Sequence, residues 1–168
     1  MAFSSLAEID AYMKTNKCEF WEAVIREEAR DSQQPEMDIV NRMTQMYRSM
    51  KEADEAYDDS LTSRSGLSGK NGKKMADYAA THKCMCGKFG GAVMARAIKM
   101  AESNACMKRI VAAPTAGSCG VVPAILITYE RMTNTSENDM VKALFVAAGI
   151  GDVIARRASI SGARGGCQ

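Results

Sequence analysis

A cysteine in a glycine-rich segment, Cys167, has surroundings that suit a metal ligand. The segment reads Ser159-Ile-Ser-Gly-Ala-Arg-Gly-Gly-Cys-Gln168. Two glycines before the thiol would let the backbone approach a bulky inorganic group closely, and the neighbouring amides and hydroxyls could donate hydrogen bonds to cluster sulfurs. Because the chain has no Cys-x-x-Cys spacing, any cluster would take its other ligands from distant positions. By itself, the segment therefore indicates one candidate ligand.

A second cysteine lies in the segment Ala113-Pro-Thr-Ala-Gly-Ser-Cys-Gly-Val-Val-Pro123. We predict a helix here, with Ser118 as its N-cap and its end near Met132. Cys119 would then lie in the first helical turn, where the helix dipole favours the thiolate form of a nucleophile or ligand. The alternative is an inert cysteine beside a loop whose amides bind a substrate. No Cys-His pair can be assigned, since the chain's one histidine, His82, is interpreted as a surface residue.

Hydroxyl groups and glycines are concentrated between Ser60 and Gly72, with Arg64 and Lys70 among them. Such a loop could hold a carboxylate or phosphate, particularly if the next helix directs its N-terminus at the site. The Gly-x-x-x-x-Gly-Lys-Ser/Thr pattern of phosphate-binding loops is absent, and no predicted strand leads in as a dinucleotide fingerprint requires. The alternative is a flexible, solvated loop.

Helical spacing of apolar residues dominates the chain, so we predict a mostly α fold, a single helical domain over residues 1–168 with glycine-rich active-site loops. Ser5-Leu-Ala-Glu8 has the form of a capping box, which predicts Ser5 as the N-cap of the first helix. Further helices are predicted to begin near Pro35, Ser118 and Ser136, and others to extend over Glu19–Arg30, Lys73–Ala80 and Phe89–Ser103. Spacings of three and four residues predict a buried stripe on the third helix, made of Ile39, Met43, Met46 and Met50. The short segment Ile110–Ala113 is predicted to be a strand or an extended lead-in.

Composition narrows the class of protein. The 22 basic and 20 acidic side chains are interspersed and give a net charge of +2, so no basic surface for nucleic acid is predicted. The longest apolar run, Ala143–Ile150, is far shorter than the roughly 20 residues of a membrane span. No secretory signal is recognisable, and we therefore expect a cytoplasmic protein whose six cysteines are reduced.

Three motifs, read in order, resemble the α chain of the iron–sulfur L-serine dehydratases. They are Ser63-Arg-Ser-Gly-Leu-Ser-Gly69 with Lys74, then Ala113–Pro123, then Ser159–Gln168. The resemblance implies a mainly helical catalytic domain and a 4Fe-4S cluster whose first cysteine ligand is Cys167. In the family, two more ligands come from a later Cys-Asp-Pro…Pro-Cys segment, which this sequence lacks. Cys119 is not a ligand in the family.

The resemblance also implies an activity, namely the dehydration and deamination of L-serine to pyruvate and ammonia, in amino-acid catabolism and gluconeogenesis. A β chain or fused β domain would complete the active site in an oligomer, so this chain alone is expected to be inactive and to be truncated after the first cluster cysteine. The alternative is a helical interaction domain without catalytic activity, whose glycine turns are structural connectors.

Site residues follow from the same resemblance. Lys74 is the first candidate for the base that removes the α-proton, although the β part could equally supply it. The implied substrate contacts are Ser63, Arg64, Ser65, Gly66, Ser68, Gly69, Thr115, Gly117 and Ser118.

Overall fold

The chain is mainly helical in the residues that the computed structural model describes, 3–81, 83–113 and 115–158. Within these ranges there are seven helices and no strand, which confirms the predicted single, mostly α domain. The helices are α1 (Leu6–Asn16), α2 (Phe20–Ser32), α3 (Glu36–Glu55), α4 (Asn71–Ala80), α5 (Gly87–Ala105), α6 (Val121–Thr133) and α7 (Glu137–Arg157). None of these helices is long and apolar enough to cross a bilayer. Residues 110–112, predicted as strand or extended, have no regular secondary structure.

The fold contains two compact units. The first consists of residues 1–45 and 137–168 and contains α1, α2, the beginning of α3, and α7. Ser5 is the N-cap of α1, as predicted, because its side chain accepts a hydrogen bond from the Glu8 amide at 3.2 Å. A buried cluster of Phe3, Ile9, Ala23 and Val153 joins α1, α2 and α7 in one core.

The second unit, residues 46–136, contains the end of α3 together with α4, α5 and α6. Ala53, Met100 and Cys119 form its buried cluster, with Ile110 packed against them. Glycine lets the helices approach closely: a methyl group added at Gly120 would lie 2.6 Å from the carbonyl oxygen of Ala97. The start of α6 therefore rests directly on the backbone of α5.

The predicted stripe on α3 is partly confirmed. Ile39 and Met50 are buried, but Met46 is 41% exposed, and the neighbouring Tyr47 is buried instead. The hydroxyl of Tyr47 donates a hydrogen bond to Glu130 at 3.0 Å, which satisfies the polar end of this core side chain. Tyr47 therefore takes the buried position on α3 that the apolar spacing predicted for Met46.

Candidate functional site

The predicted substrate loop is a compact turn that its own hydroxyls stabilise. The Ser63 amide donates to the carbonyl of Ser68 at 2.8 Å, and the Ser68 amide donates to Ser63 Oγ at 3.1 Å. The Ser63 and Ser65 hydroxyls lie 3.1 Å apart. Gly69 has φ of +146°, and a methyl group there would lie 2.6 Å from the carbonyl oxygen of Leu61. Glycine is therefore required where the turn leaves toward α4.

Arg64 is the cation within the Ser63–Gly69 turn, and it faces solvent. Among the described residues its guanidinium forms no hydrogen bond or ion pair. An exposed, unpaired guanidinium beside serine hydroxyls suits a carboxylate ligand, because it offers several donors in a fixed fork.

The N-terminus of α4 is occupied by a buried carboxylate that the sequence analysis did not identify. Glu102, only 4% exposed, comes from α5. Its two oxygens accept hydrogen bonds from the amides of Asn71 at 2.7 Å and Gly72 at 3.0 Å. The first amides of α4 are thus already paired, so a substrate carboxylate would have to bind to the loop itself and not to the helix end.

Tyr57 is the third donor to this carboxylate, with its hydroxyl 2.8 Å from Glu102 Oε2. The Lys99 ammonium lies 5.2 Å from the centre of the Tyr57 ring. Burial, together with the hydrogen bond to Glu102 and its negative charge, raises the pKa of Tyr57 to about 12. The phenol therefore stays protonated, and hence a donor, at neutral pH.

The second predicted motif is also a hydroxyl-bonded turn. Thr115 Oγ1 and Ser118 Oγ lie 2.9 Å apart, and each backbone amide donates to the other residue's hydroxyl at 3.3 Å. Ser118 is therefore not the N-cap of α6, and the prediction that it caps this helix was wrong. The helix begins at Val121 with Gly120 as its N-cap and no side-chain cap. The Ser118 hydroxyl is used within the turn, three residues before the helix starts.

Cys119 matches the inert alternative of the two sequence interpretations. Its side chain is 1% exposed, and Sγ points to the carbonyl oxygen of Met100 at 3.9 Å. Burial raises the pKa of the Cys119 thiol. Because Cys119 precedes α6 and lies in the core, the thiol form is favoured over the thiolate that a nucleophile or ligand would need.

The two motifs share a single support, the C-terminal end of α5. Asn104 Nδ2 donates to the carbonyl of Ala116 at 2.9 Å, and Glu102, two residues earlier, binds the start of α4. The sequence analysis identified neither Glu102 nor Asn104. Glu102 could have been suspected, because it lies two helical turns after the buried Ala95 and so on a buried face, where a carboxylate requires hydrogen-bond partners.

Lys74, the predicted base, is exposed on α4. In the described part of the chain its ammonium forms no ion pair, unlike that of Lys73, which lies 2.6 Å from Asp77. A groove of about 370 Å³ lies among α3, α4, α5 and α6, but neither Lys74 nor the two motif turns line it. No group of three potential metal ligands occurs in the described ranges, and Cys167 and His82 lie outside them.

Comparison with known proteins identifies the family. The family model described as "Serine dehydratase alpha chain" matches residues 15–168. A probable L-serine dehydratase, alpha chain, of Bacillus subtilis is 32% identical over 166 residues, which are 99% of this chain and 55% of that relative. The L-serine dehydratase, alpha chain, of Peptoniphilus asaccharolyticus is 41% identical over 96 residues, 57% of this chain and 33% of the relative. The chain belongs to the serine dehydratase alpha chain family.

A further relative, L-serine dehydratase 2 of Escherichia coli, is 42% identical over 73 residues, which are 43% of this chain and 16% of that protein. The chain therefore spans about half, or less, of the length of these relatives. No solved structure matches it.

Proposed function

We propose that this chain is a component of an L-serine dehydratase, which removes water from L-serine and yields pyruvate and ammonia after hydrolysis of the aminoacrylate product. Membership of the serine dehydratase alpha chain family, over residues 15–168, carries the proposal. Residues 1–168 would be the N-terminal part of the catalytic domain.

The two hydroxyl-rich turns would bind and orient the serine. In the first turn, the hydroxyls of Ser63, Ser65 and Ser68 and the Gly69 amide offer donors to the substrate carboxylate. Gly66 would act by shaping the turn, because its own amide already donates to the Ser63 carbonyl at 2.8 Å. Arg64 supplies an exposed positive charge beside them. In the second turn, the Gly117 amide and the hydroxyls of Thr115 and Ser118 would contact the substrate, which would replace the hydrogen bond that joins the two hydroxyls. This arrangement agrees with the support of both turns by α5, which limits their relative movement.

Lys74 remains our candidate for the base that takes the proton from the serine Cα. It lies on the first turn of α4, four residues after Lys70, whose carbonyl accepts its amide hydrogen at 3.2 Å. Its exposed side chain is not held by another described residue, so it can reach a substrate bound outside the chain's own core. There its amine, in the neutral form, would accept the α-proton and become the ammonium. A base from the β part is the alternative that the variants described below distinguish.

We further propose that the active protein holds a 4Fe-4S cluster and that Cys167 is one of its ligands. The described residues do not form a cluster site by themselves, since they contain no group of three candidate ligands. Cys119 does not fit as a ligand, because it is buried as a thiol. When bound, a cluster iron without a protein thiolate supplies a Lewis acid for departure of the serine hydroxyl.

The partner of this chain is proposed to be a β chain. Relatives from Bacillus subtilis and Peptoniphilus asaccharolyticus are named as alpha chains, which agrees with assembly from two kinds of chain. A single thiolate from Cys167 cannot hold four irons, so the remaining ligands would be supplied by the rest of the protein, and residues 1–168 alone would be inactive.

The test is anaerobic reconstitution of the complete protein with its β part, iron and sulfide. We expect broad visible absorption and release of pyruvate from L-serine, and we expect both to be lost in Cys167→Ser. The matched control is Cys86→Ser, because Cys86 is an exposed free cysteine. It should retain iron content and activity.

Full cluster content and activity in Cys167→Ser would remove Cys167 from the ligand set. A complete protein that neither binds iron nor deaminates serine would favour the helical interaction domain instead.

A further inference from the structure

One buried carboxylate holds both ends of the substrate loop. Tyr57 precedes the loop and Asn71 and Gly72 follow it, and all three donate hydrogen bonds to Glu102 at 2.7 to 3.0 Å. The intervening segment, residues 58–70, contains every predicted substrate contact of the first motif. Its two ends are thus joined through the carboxylate of Glu102 on α5, and the Lys73 amide of α4 is a further hydrogen-bond partner of the Tyr57 hydroxyl.

Both carboxylate oxygens of Glu102 are engaged in holding the loop ends. A carboxylate has two acceptor oxygens, and here Oε1 binds the Asn71 amide while Oε2 binds the Gly72 amide and the Tyr57 hydroxyl. A buried charge is tolerated only when it is paired or hydrogen-bonded in this way. Removing the acceptor would leave donors without partners at both ends of the loop and allow the loop to open.

We propose that Glu102 is a positioning residue for serine binding. By joining the two ends of the 58–70 loop, it places the Ser63–Gly69 turn at the same end of α5 where Asn104 holds the Thr115–Ser118 turn. The assignment rests on the proposed function, since it takes the first turn to bind the substrate. Glu102 itself touches no substrate in this scheme and acts through the loop.

The test uses Glu102→Gln in the complete reconstituted protein. The amide keeps one acceptor oxygen but turns the other into a donor, so at least one of the three hydrogen bonds is lost. We expect KM for L-serine to rise about tenfold while kcat changes less than about threefold, because the loop contributes to binding of the substrate.

A second readout needs no activity. Arg64 and Lys70 are the trypsin sites inside the 58–70 loop. In Glu102→Gln, cleavage at these two sites should be about tenfold faster than in the wild type, as expected for local opening of a segment. Mass spectrometry of the fragments identifies the cut positions.

Two further variants guard against a general loss of folding. Tyr57→Phe frees only the first end of the loop, and Glu102 keeps its hydrogen bonds to the first amides of α4. Loop cleavage and KM should therefore rise as in Glu102→Gln, but by smaller factors. Glu27→Gln is the matched control, because Glu27 is 3% exposed and is paired with Arg30, away from the loop in sequence and in contacts. It should change neither loop cleavage nor KM by more than about twofold.

Equal loop cleavage in Glu102→Gln and Glu27→Gln would overturn the proposal. So would faster cleavage with an unchanged KM, since the loop would then be held by Glu102 without contributing to serine binding. If the wild-type protein fails to deaminate serine, the proposed function is lost while the cleavage difference persists, and the two failures are thereby distinguished.

Discussion

Two neighbouring lysines on α4 have different surroundings. Lys73 is paired with Asp77 at 2.6 Å, and this hydrogen bond raises its pKa. Lys74 has no such partner among the described residues, although both side chains are exposed. A difference in activity between variants at these two positions would therefore report on function and not on folding.

Lys74→Ala should lower kcat for serine deamination by at least about 100-fold if its amine removes the α-proton, the usual size of a general-base effect. Its unfolding midpoint should stay near that of the wild type, because an exposed side chain is removed. Lys73→Ala is the control and should keep its activity. Unchanged kinetics in Lys74→Ala would remove Lys74 from the site and leave a base from the β part as the alternative.

The chemical state of Cys119 could not be predicted from its neighbours in sequence. The small residues around Cys119 permitted both a reactive thiolate and an inert thiol. Burial against Met100 and a raised pKa favour the thiol. Small neighbours allow close approach of any group, and whether that group is a ligand or another helix depends on the packing.

At the scale of the element, two glycines of α7 differ in how closely they approach a neighbouring helix. In α7, a methyl group at Gly149 would lie 2.6 Å from Val24 Cγ2 and 2.9 Å from the Phe20 ring, whereas one at Gly151 would meet nothing within 4 Å. Gly149 therefore sets how closely α7 packs on α2, and Gly151 does not.

Gly149→Ala should destabilise the protein by about 1–3 kcal/mol, because the added methyl group overpacks the contact with α2. Gly151→Ala should stabilise it by up to about 1 kcal/mol, since alanine is the better helix former. Urea unfolding of both variants measures the two changes. Destabilisation of equal size at the two positions would contradict the close packing of α7 on α2.

The starts of α1 and α6 show when a helix N-cap can be predicted from nearby residues in the sequence. Ser5 was predicted as an N-cap and is one, because its partner, the Glu8 amide, lies within the same turn. Ser118 was predicted as an N-cap and is not, because Thr115 takes its hydroxyl and the close contact of Gly120 with α5 sets where α6 begins. The first outcome depends on neighbours in sequence and the second on another helix.

At the scale of the whole molecule, stability should depend on pH in the alkaline range through Tyr57. Its pKa is raised in the folded protein to about 12, against an ordinary value near 10. Between these values the unfolded chain has lost a proton that the folded protein retains, so stability falls as pH rises. The contribution is fully present below pH 10 and is lost as pH approaches about 12.

The slope of unfolding free energy against pH from 10 to 12 should therefore be steeper for the wild type than for Tyr57→Phe. Urea unfolding at several pH values measures both slopes. Identical slopes would mean that folding does not raise the pKa of Tyr57.

The sequence by itself determined the mostly α class, the approximate extent of most helices and the three motifs that indicate the family. These features are local, since helical periodicity and most capping arise from residues three or four positions apart. The prediction for Cys167 stays a prediction, because this residue lies outside the described ranges.

Only the tertiary structure decided what surrounds the motifs. Asn71 and Glu102 are 31 positions apart, and no local pattern pairs the start of α4 with a carboxylate near the end of α5. The same holds for Asn104 and Ala116 across the turn that precedes α6. Which buried polar groups meet is fixed by helix packing, because each must find its partner among whatever the neighbouring helix presents.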